Sequence, residues 1–215
     1  MKEPGGARLR SIVINREYGS GGREIGRRIA ELTGMEFYDT RILAEAAAAR
    51  GLPSDLLATF DERVVAGQLF DLSIITGADS GTFSLPYRMY GAIAEVITGA
   101  AGKAPAVFIG RCADRILREA RIRIRSVFVY STDTEGKIAR AVEVDGIDRR
   151  HAESHIAKMD KARTRYQQFF TQTTFGDPRE YDLCLNSARL GFDGCVATIM
   201  ASMNTGAGPS PAPPA

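Results

Sequence analysis

The sequence predicts an α/β fold in which a five-stranded parallel sheet carries helices on both faces. Two observations predict it. Five short apolar runs recur along the chain, each separated from the next by a segment of helical periodicity. A glycine-rich turn follows the first run and opens the first helix, the order that puts loops at the carboxyl ends of parallel strands. Bulk composition agrees: 215 residues, 44% apolar and 25% charged, are enough for a stable core in one domain or in a core with an inserted subdomain.

Residues 1–10 carry Pro4, Gly5 and Gly6 and are read as a flexible arm. Ser11–Asn15 (SIVIN) is a buried-type strand. The turn REYGSGG leads into a helix in which Ile25, Ile29 and Leu32 recur at helical spacing, and Gly34 closes it as a C-terminal cap. Met35–Tyr38 is a second strand, and Asp39 N-caps an Ala-rich helix that runs to about Arg50. Residues 52–104 lack strand signals, contain a helical run over Tyr87–Thr98, and are read as the insertion.

Ala106–Ile109 (AVFI) is a third strand, followed by Gly110-Arg111 and a helix to about Glu119. Ile124–Tyr130 is a fourth strand, and Thr132 with Glu135 forms a capping box for the next helix. Arg149–Thr171 is a long amphipathic helix with an apolar stripe through Ile156, Met159, Tyr166 and Phe170. Tyr181–Asn186 is a last strand, with Cys184 as a small core residue. Asp193 starts a final helix that buries Val196, Ile199 and Met200. The tail 204–215 is rich in Pro, Gly, Ser and Ala and is expected to be disordered.

A net charge of +2 does not describe a general polyanion trap, and no nucleic-acid partner is predicted. Cys112, Cys184 and Cys195 show neither a CxxC pair nor zinc spacing, which suits a reducing compartment. No run approaches a membrane span and MKEPGGARLR lacks the apolar segment of a signal peptide, so a cytoplasmic protein without a membrane partner is expected. Oligomerisation stays open.

The turn carries the chemistry. Gly19, Ser20, Gly21 and Gly22 sit between a strand and a helix, where glycines let the backbone approach an anion and the first helical turn offers free N–H groups. A purely structural tight turn is the alternative. In the usual phosphate loop, GxxxxGK[ST], the final lysine and hydroxyl follow the last glycine. Here Gly22 stands at the lysine position, and Arg23 or Glu24 stands where a magnesium-binding hydroxyl belongs. Arg16 and Arg23 flank the loop and are candidates for its missing positive charge, unless both are merely solvated. Arg111, at the carboxyl end of a strand, is placed to bind an oxyanion. The basic residues of 140–170 form either a solvated helix face or a lid that closes on a transferring phosphoryl group, with Arg163 oriented by Asp160 at i−3. His151 and His155 lie four apart without a third ligand, and no metal site is assigned.

Three segments together resemble the cytidylate kinase-like family, a branch of the P-loop nucleoside-monophosphate kinases. They are INREYGSGGREIGRRIAELTG (Ile14–Gly34), VFIGRCADRIL (Val107–Leu117), and DKARTRYQQFFT (Asp160–Thr171) with YDLCLNS (Tyr181–Ser187). The resemblance spans residues 11–203. It implies a P-loop kinase-type three-layer αβα domain with a helical insertion (about 52–104) and a lid (about 140–170). It also implies transfer of the γ-phosphoryl of ATP, with Mg2+, to CMP, dCMP or another small acceptor.

By the same resemblance, Asp39, Thr40, Arg41 and Arg111 face the acceptor, and Asp160 and Arg163 belong to the lid. The candidate catalytic residues are then Arg163 with Arg16 or Arg23, which flank the loop and stand in for its lysine, and Gly19–Gly22, Arg23 and Glu24 hold the nucleotide phosphates. The chain departs from the family pattern at Gly22 (lysine), at Cys112 (the Asp of Gly-Arg-Asp) and at Ile156-Ala157 (Arg-Asp). Near Glu45 an arginine is missing. These departures keep two other readings open: a non-catalytic nucleotide-binding module, and a transferase with a different donor.

Overall fold

The structure is a computed structural model that describes residues 10–48 and 80–203. The arm before residue 10, most of the expected insertion and the tail from 204 lie outside the described residues. Strands β1 (Ser11–Arg16), β2 (Glu36–Tyr38), β3 (Ala106–Ile109), β4 (Ile124–Tyr130) and β5 (Leu183–Asn186) form one sheet in the order β2-β3-β1-β4-β5. Every neighbouring pair is parallel, with Ile14 opposite both Ile109 and Val127. The helices are α1 (Gly22–Thr33), α2 (Thr40–Ala48), α3 (Ser80–Lys103), α4 (Ala113–Glu119), α5 (Thr134–Glu143), α6 (Arg149–Thr171) and α7 (Ser187–Met203). No helix among the described residues is long and apolar enough to cross a membrane.

Strand alternation builds the two outer layers. Val13 and Phe108 face a core shared with α2, α3 and α4 through Leu43, Ile93 and Leu117. Ile12, Ile14, Val107 and Ile109 face the opposite core with α1 and α7, through Ile25, Ile29 and Ile199. These side chains are fully buried, and burial of each aliphatic one stabilises the fold by about 1.5–3 kcal/mol. A third, smaller cluster joins α5 to α6 through Ile138, Ala141, Ala152 and Ile156, and Tyr18 packs against it. The chain therefore leaves β1 toward one face and leaves the adjacent β3 toward the other. A crevice opens between them at the carboxyl ends, the topological switch point of a parallel sheet.

Several local expectations are corrected. Leu32 is 70% exposed. The buried stripe of α1 runs through Gly22, Ile25, Gly26, Ile29 and Ala30, and Leu32 stands about a quarter-turn from its centre. The N-cap of α5 is Asp133, whose carboxylate accepts the Gly136 N–H at 2.9 Å, so Thr132 and Glu135 form no box. Glu135 instead pairs with Arg149. The last helix begins at Ser187 and breaks at Gly191 (φ 65°, ψ 172°), which makes Asp193 part of its second piece. Cys184 and Met200 are half-buried.

Candidate phosphate-binding site

The turn between β1 and α1 depends on glycine for conformation and for space. Gly19 and Gly21 have φ of +74° and +81°, in the left-handed region. A Cβ on Gly19 would stand 2.9 Å from the backbone of Lys137, and one on Gly21 would stand 2.3 Å from the Phe192 ring. The N-cap of α1, Gly21, has no side chain to cap the first turn, so the leading N–H groups keep the positive end of the helix dipole open toward the crevice. Ser20 is buried, and its hydroxyl donates to the Glu17 carbonyl at 2.8 Å.

The loop is held from outside by α5 and α6. Asp160 accepts the Tyr18 N–H at 2.6 Å, and Lys137 Nζ lies 3.1 Å from Glu17 and 3.3 Å from Asp160. Arg163 Nη1 donates to the Arg16 carbonyl at 3.0 Å, lies 3.8 Å from Asp160, and its guanidinium covers the Tyr18 ring at 5.5 Å. Burial pushes the Asp160 carboxyl above its ordinary value despite these donors. Asp160 and Arg163, expected in a lid, thus bind the backbone of Tyr18 and Arg16, where the chain enters the turn. Lys137 was not singled out from the sequence. Nothing in its local pattern distinguishes it from a solvated lysine, and only the tertiary fold brings it to Glu17.

Positions 16 and 22 share one volume. A Cβ on Gly22 would lie 2.6 Å from Arg16 Cβ and 3.1 Å from its Cγ. The Arg16 stem therefore fills the space into which a lysine at position 22 would grow. Its guanidinium reaches across to Gly110, where an added Cβ would meet Nη1. Arg16 and Arg163 border both cavities of the crevice, one of about 160 Å³ over the loop and one of about 40 Å³ toward β3.

The other candidates are placed differently. Arg23 donates to Asp39 Oδ2 through Nε and Nη2 at 2.9 and 2.5 Å. Asp39 N-caps α2 by accepting the Ile42 N–H at 3.0 Å. Burial alone would raise the Asp39 carboxyl, but the Ile42 N–H and Arg23 outweigh it and hold it low. Thr40 is the first residue of α2. Arg41 points outward to Glu45 at 3.2 Å. Glu24 accepts from Arg27 and Arg28, and the Arg27 bond chiefly holds its carboxyl below the usual range.

Among the described residues, the magnesium ion that the resemblance implies finds no protein ligand set at this loop. Position 23 carries a cation, the Glu24 carboxylate is engaged by two arginines, and the Ser20 hydroxyl is buried on Glu17. Among the described residues no three His, Cys, Asp or Glu side chains gather as metal ligands.

The smaller cavity lies where β3 ends. Gly110, Arg111 and Cys112 have φ of 70°, 59° and 55°, three successive left-handed residues that turn the chain sharply into α4. That turn sets Arg111 at the cavity, 93% buried, with its guanidinium over the Tyr166 ring at 5.2 Å. Arg16, Arg111 and Arg163 border this space, and among the described residues no carboxylate or histidine does. Asn15 is buried beside Asp114 and Tyr181.

Burial raises the Asp114 carboxyl, against the opposing pull of Arg118, the Arg115 N–H and Asn15. A raised folded pKa gives stability that is present below the unfolded value, about 3.9, and lost as pH climbs through the folded value. Asp114→Asn is therefore expected to be more stable than the parent at pH 8 by on the order of 1 kcal/mol, with the difference shrinking toward pH 4. Thermal unfolding across that range checks the sign.

Comparison with known proteins agrees with this architecture. An uncharacterised protein from Eubacterium ventriosum superposes with a TM-score of 0.67 at 24% identity, over 91% of this chain and 99% of that one. TT1252 from Thermus thermophilus gives 0.52 at 17% identity, over 93% and 100%. Shikimate kinase from Acinetobacter baumannii, solved with shikimate, gives 0.47 at 16% identity, over 92% and 96%. No curated protein matches in sequence. A family model covers residues 11–189, most of the chain, and on that match the chain belongs to the cytidylate kinase-like family.

Proposed function

We propose that the chain is a phosphotransferase that moves the γ-phosphoryl group of ATP to a nucleoside monophosphate of the CMP type. The observation that carries this reading is the position of Arg16. Its stem replaces the side chain missing at Gly22, and its guanidinium spans from the loop to Gly110, between the two cavities. A cation there follows a phosphoryl group from donor to acceptor, which is the task of the usual loop lysine. Arg163 supplies a second fixed guanidinium to the same charge. Arg23, tied to Asp39, helps fix the acceptor side instead.

The smaller cavity favours a phosphate acceptor over an alcohol. An alcohol needs a base to take its proton, and among the described residues the side chains bordering that cavity include three arginines but no carboxylate or histidine. The oxygen of a monophosphate is already ionised, and Arg111 and Arg16 suit its charge. A second reading, a nucleotide-binding module without transfer, draws on Cys112 standing where the family carries an aspartate.

The deciding experiment is a coupled ADP-release assay with ATP over CMP, dCMP, UMP, AMP and GMP, beside calorimetric binding of each. Turnover with one monophosphate is expected, with a pyrimidine nucleotide preferred. Binding without turnover for all five would replace the transferase with the regulatory module.

A further inference from the structure

The acids and bases around the loop are unequally disposed. Arg16, Arg23, Arg27, Arg140 and Arg163 all border the larger cavity. Among the described residues the carboxylates beside them are Glu17, Glu24 and Asp145, and each already accepts from a neighbour. Glu17 takes Lys137 Nζ at 3.1 Å and the Ser131 N–H at 3.2 Å. Glu24 takes Arg27 and Arg28, both at 3.0 Å. Asp145 takes the Tyr18 hydroxyl at 2.6 Å. A hard divalent cation needs oxygen ligands with charge to give, and this rim instead offers guanidinium groups. Arg140 is fixed in place by its packing over the Phe192 ring, 4.9 Å from the centroid.

We propose that this site neutralises the donor polyphosphate with guanidinium groups rather than with a protein-held divalent cation, so that metal-free nucleoside triphosphate binds at least as tightly as its magnesium complex. The inference rests on the reading of Gly19–Gly22 as the donor loop. A bound cation cancels part of the triphosphate charge, and here it would weaken the attraction to Arg16, Arg27, Arg140 and Arg163 and meet their repulsion, with Arg23 held by Asp39. In a loop that ends in a hydroxyl ligand the ion adds a protein contact of its own. At Arg23 and Glu24 no such contact is on offer.

The test is calorimetric binding of a non-hydrolysable ATP analogue to the full chain, with magnesium and with EDTA. EDTA is expected to leave the Kd within about threefold or to tighten it, more so at low salt. A Kd weakened beyond that in EDTA overturns the proposal and leaves the donor loop standing. No binding in either buffer overturns the donor-loop reading and the proposal with it. Arg27→Gln provides a second measurement, because its side chain is 52% exposed and its removal leaves the fold alone. It is expected to weaken metal-free binding about fivefold and magnesium-loaded binding less. Equal losses in the two buffers would count against guanidinium neutralisation.

Discussion

Gly21→Val is expected to eliminate nucleotide binding, raising Kd by at least about 100-fold, and to lower stability as well. Two separate penalties act. The backbone at Gly21 is left-handed (φ +81°), where a side chain costs about 1–2 kcal/mol and a β-branched one more. The added Cβ would also stand 2.3 Å from Phe192, whose ring lies between Arg28 at 5.7 Å and Arg140 at 4.9 Å. That ring cannot yield without dislodging both guanidiniums or the loop. Calorimetry reads the affinity and thermal unfolding reads the stability. Phe192→Ala in the same background removes the steric part and leaves the backbone part. Normal binding by Gly21→Val would sink the phosphate-loop assignment.

Arg16→Gly is expected to lower kcat by roughly 100-fold to 1,000-fold, the usual cost of one preorganised charge-stabilising donor, with a smaller change in nucleotide affinity. Gly22→Lys alone does no better, because its Cβ would lie 2.6 Å from Arg16 Cβ. The double variant R16G/G22K clears that volume and restores the usual loop order, and its kcat should exceed that of either single variant. The signature is this non-additivity, which neighbours sharing one space produce and distant residues do not. Unchanged turnover in Arg16→Gly would remove Arg16 from the mechanism.

Much of this was legible before any coordinates. All five strands fell within two residues of their observed bounds, since buried parallel strands read as continuous apolar runs. The Asp39 cap and the Asp160–Arg163 pair were readable because both are local, within three residues. Long-range contacts were not. The Arg23–Asp39 pair joins residues sixteen apart, and Tyr18–Asp160 joins residues 142 apart. Spacing on one helix carries no trace of either. That Arg16 rather than Arg23 occupies the volume above Gly22 was not legible either, because composition and periodicity do not encode it. Thr132 and Glu135 matched a capping pattern, but Asp133 between them caps with its own carboxylate and starts the helix at Thr134.

The shared volume of Arg16 and Gly22 has a consequence for lineages rather than for single molecules. Two bulky residues cannot occupy positions 16 and 22 together, so the pair behaves as one variable with two settings. A route from one setting to the other by single substitutions passes through glycine at both, with neither side chain present. Relatives should therefore divide into two covarying groups, arginine with glycine or glycine with lysine. A relative that keeps this backbone with large side chains at both positions would contradict the packing.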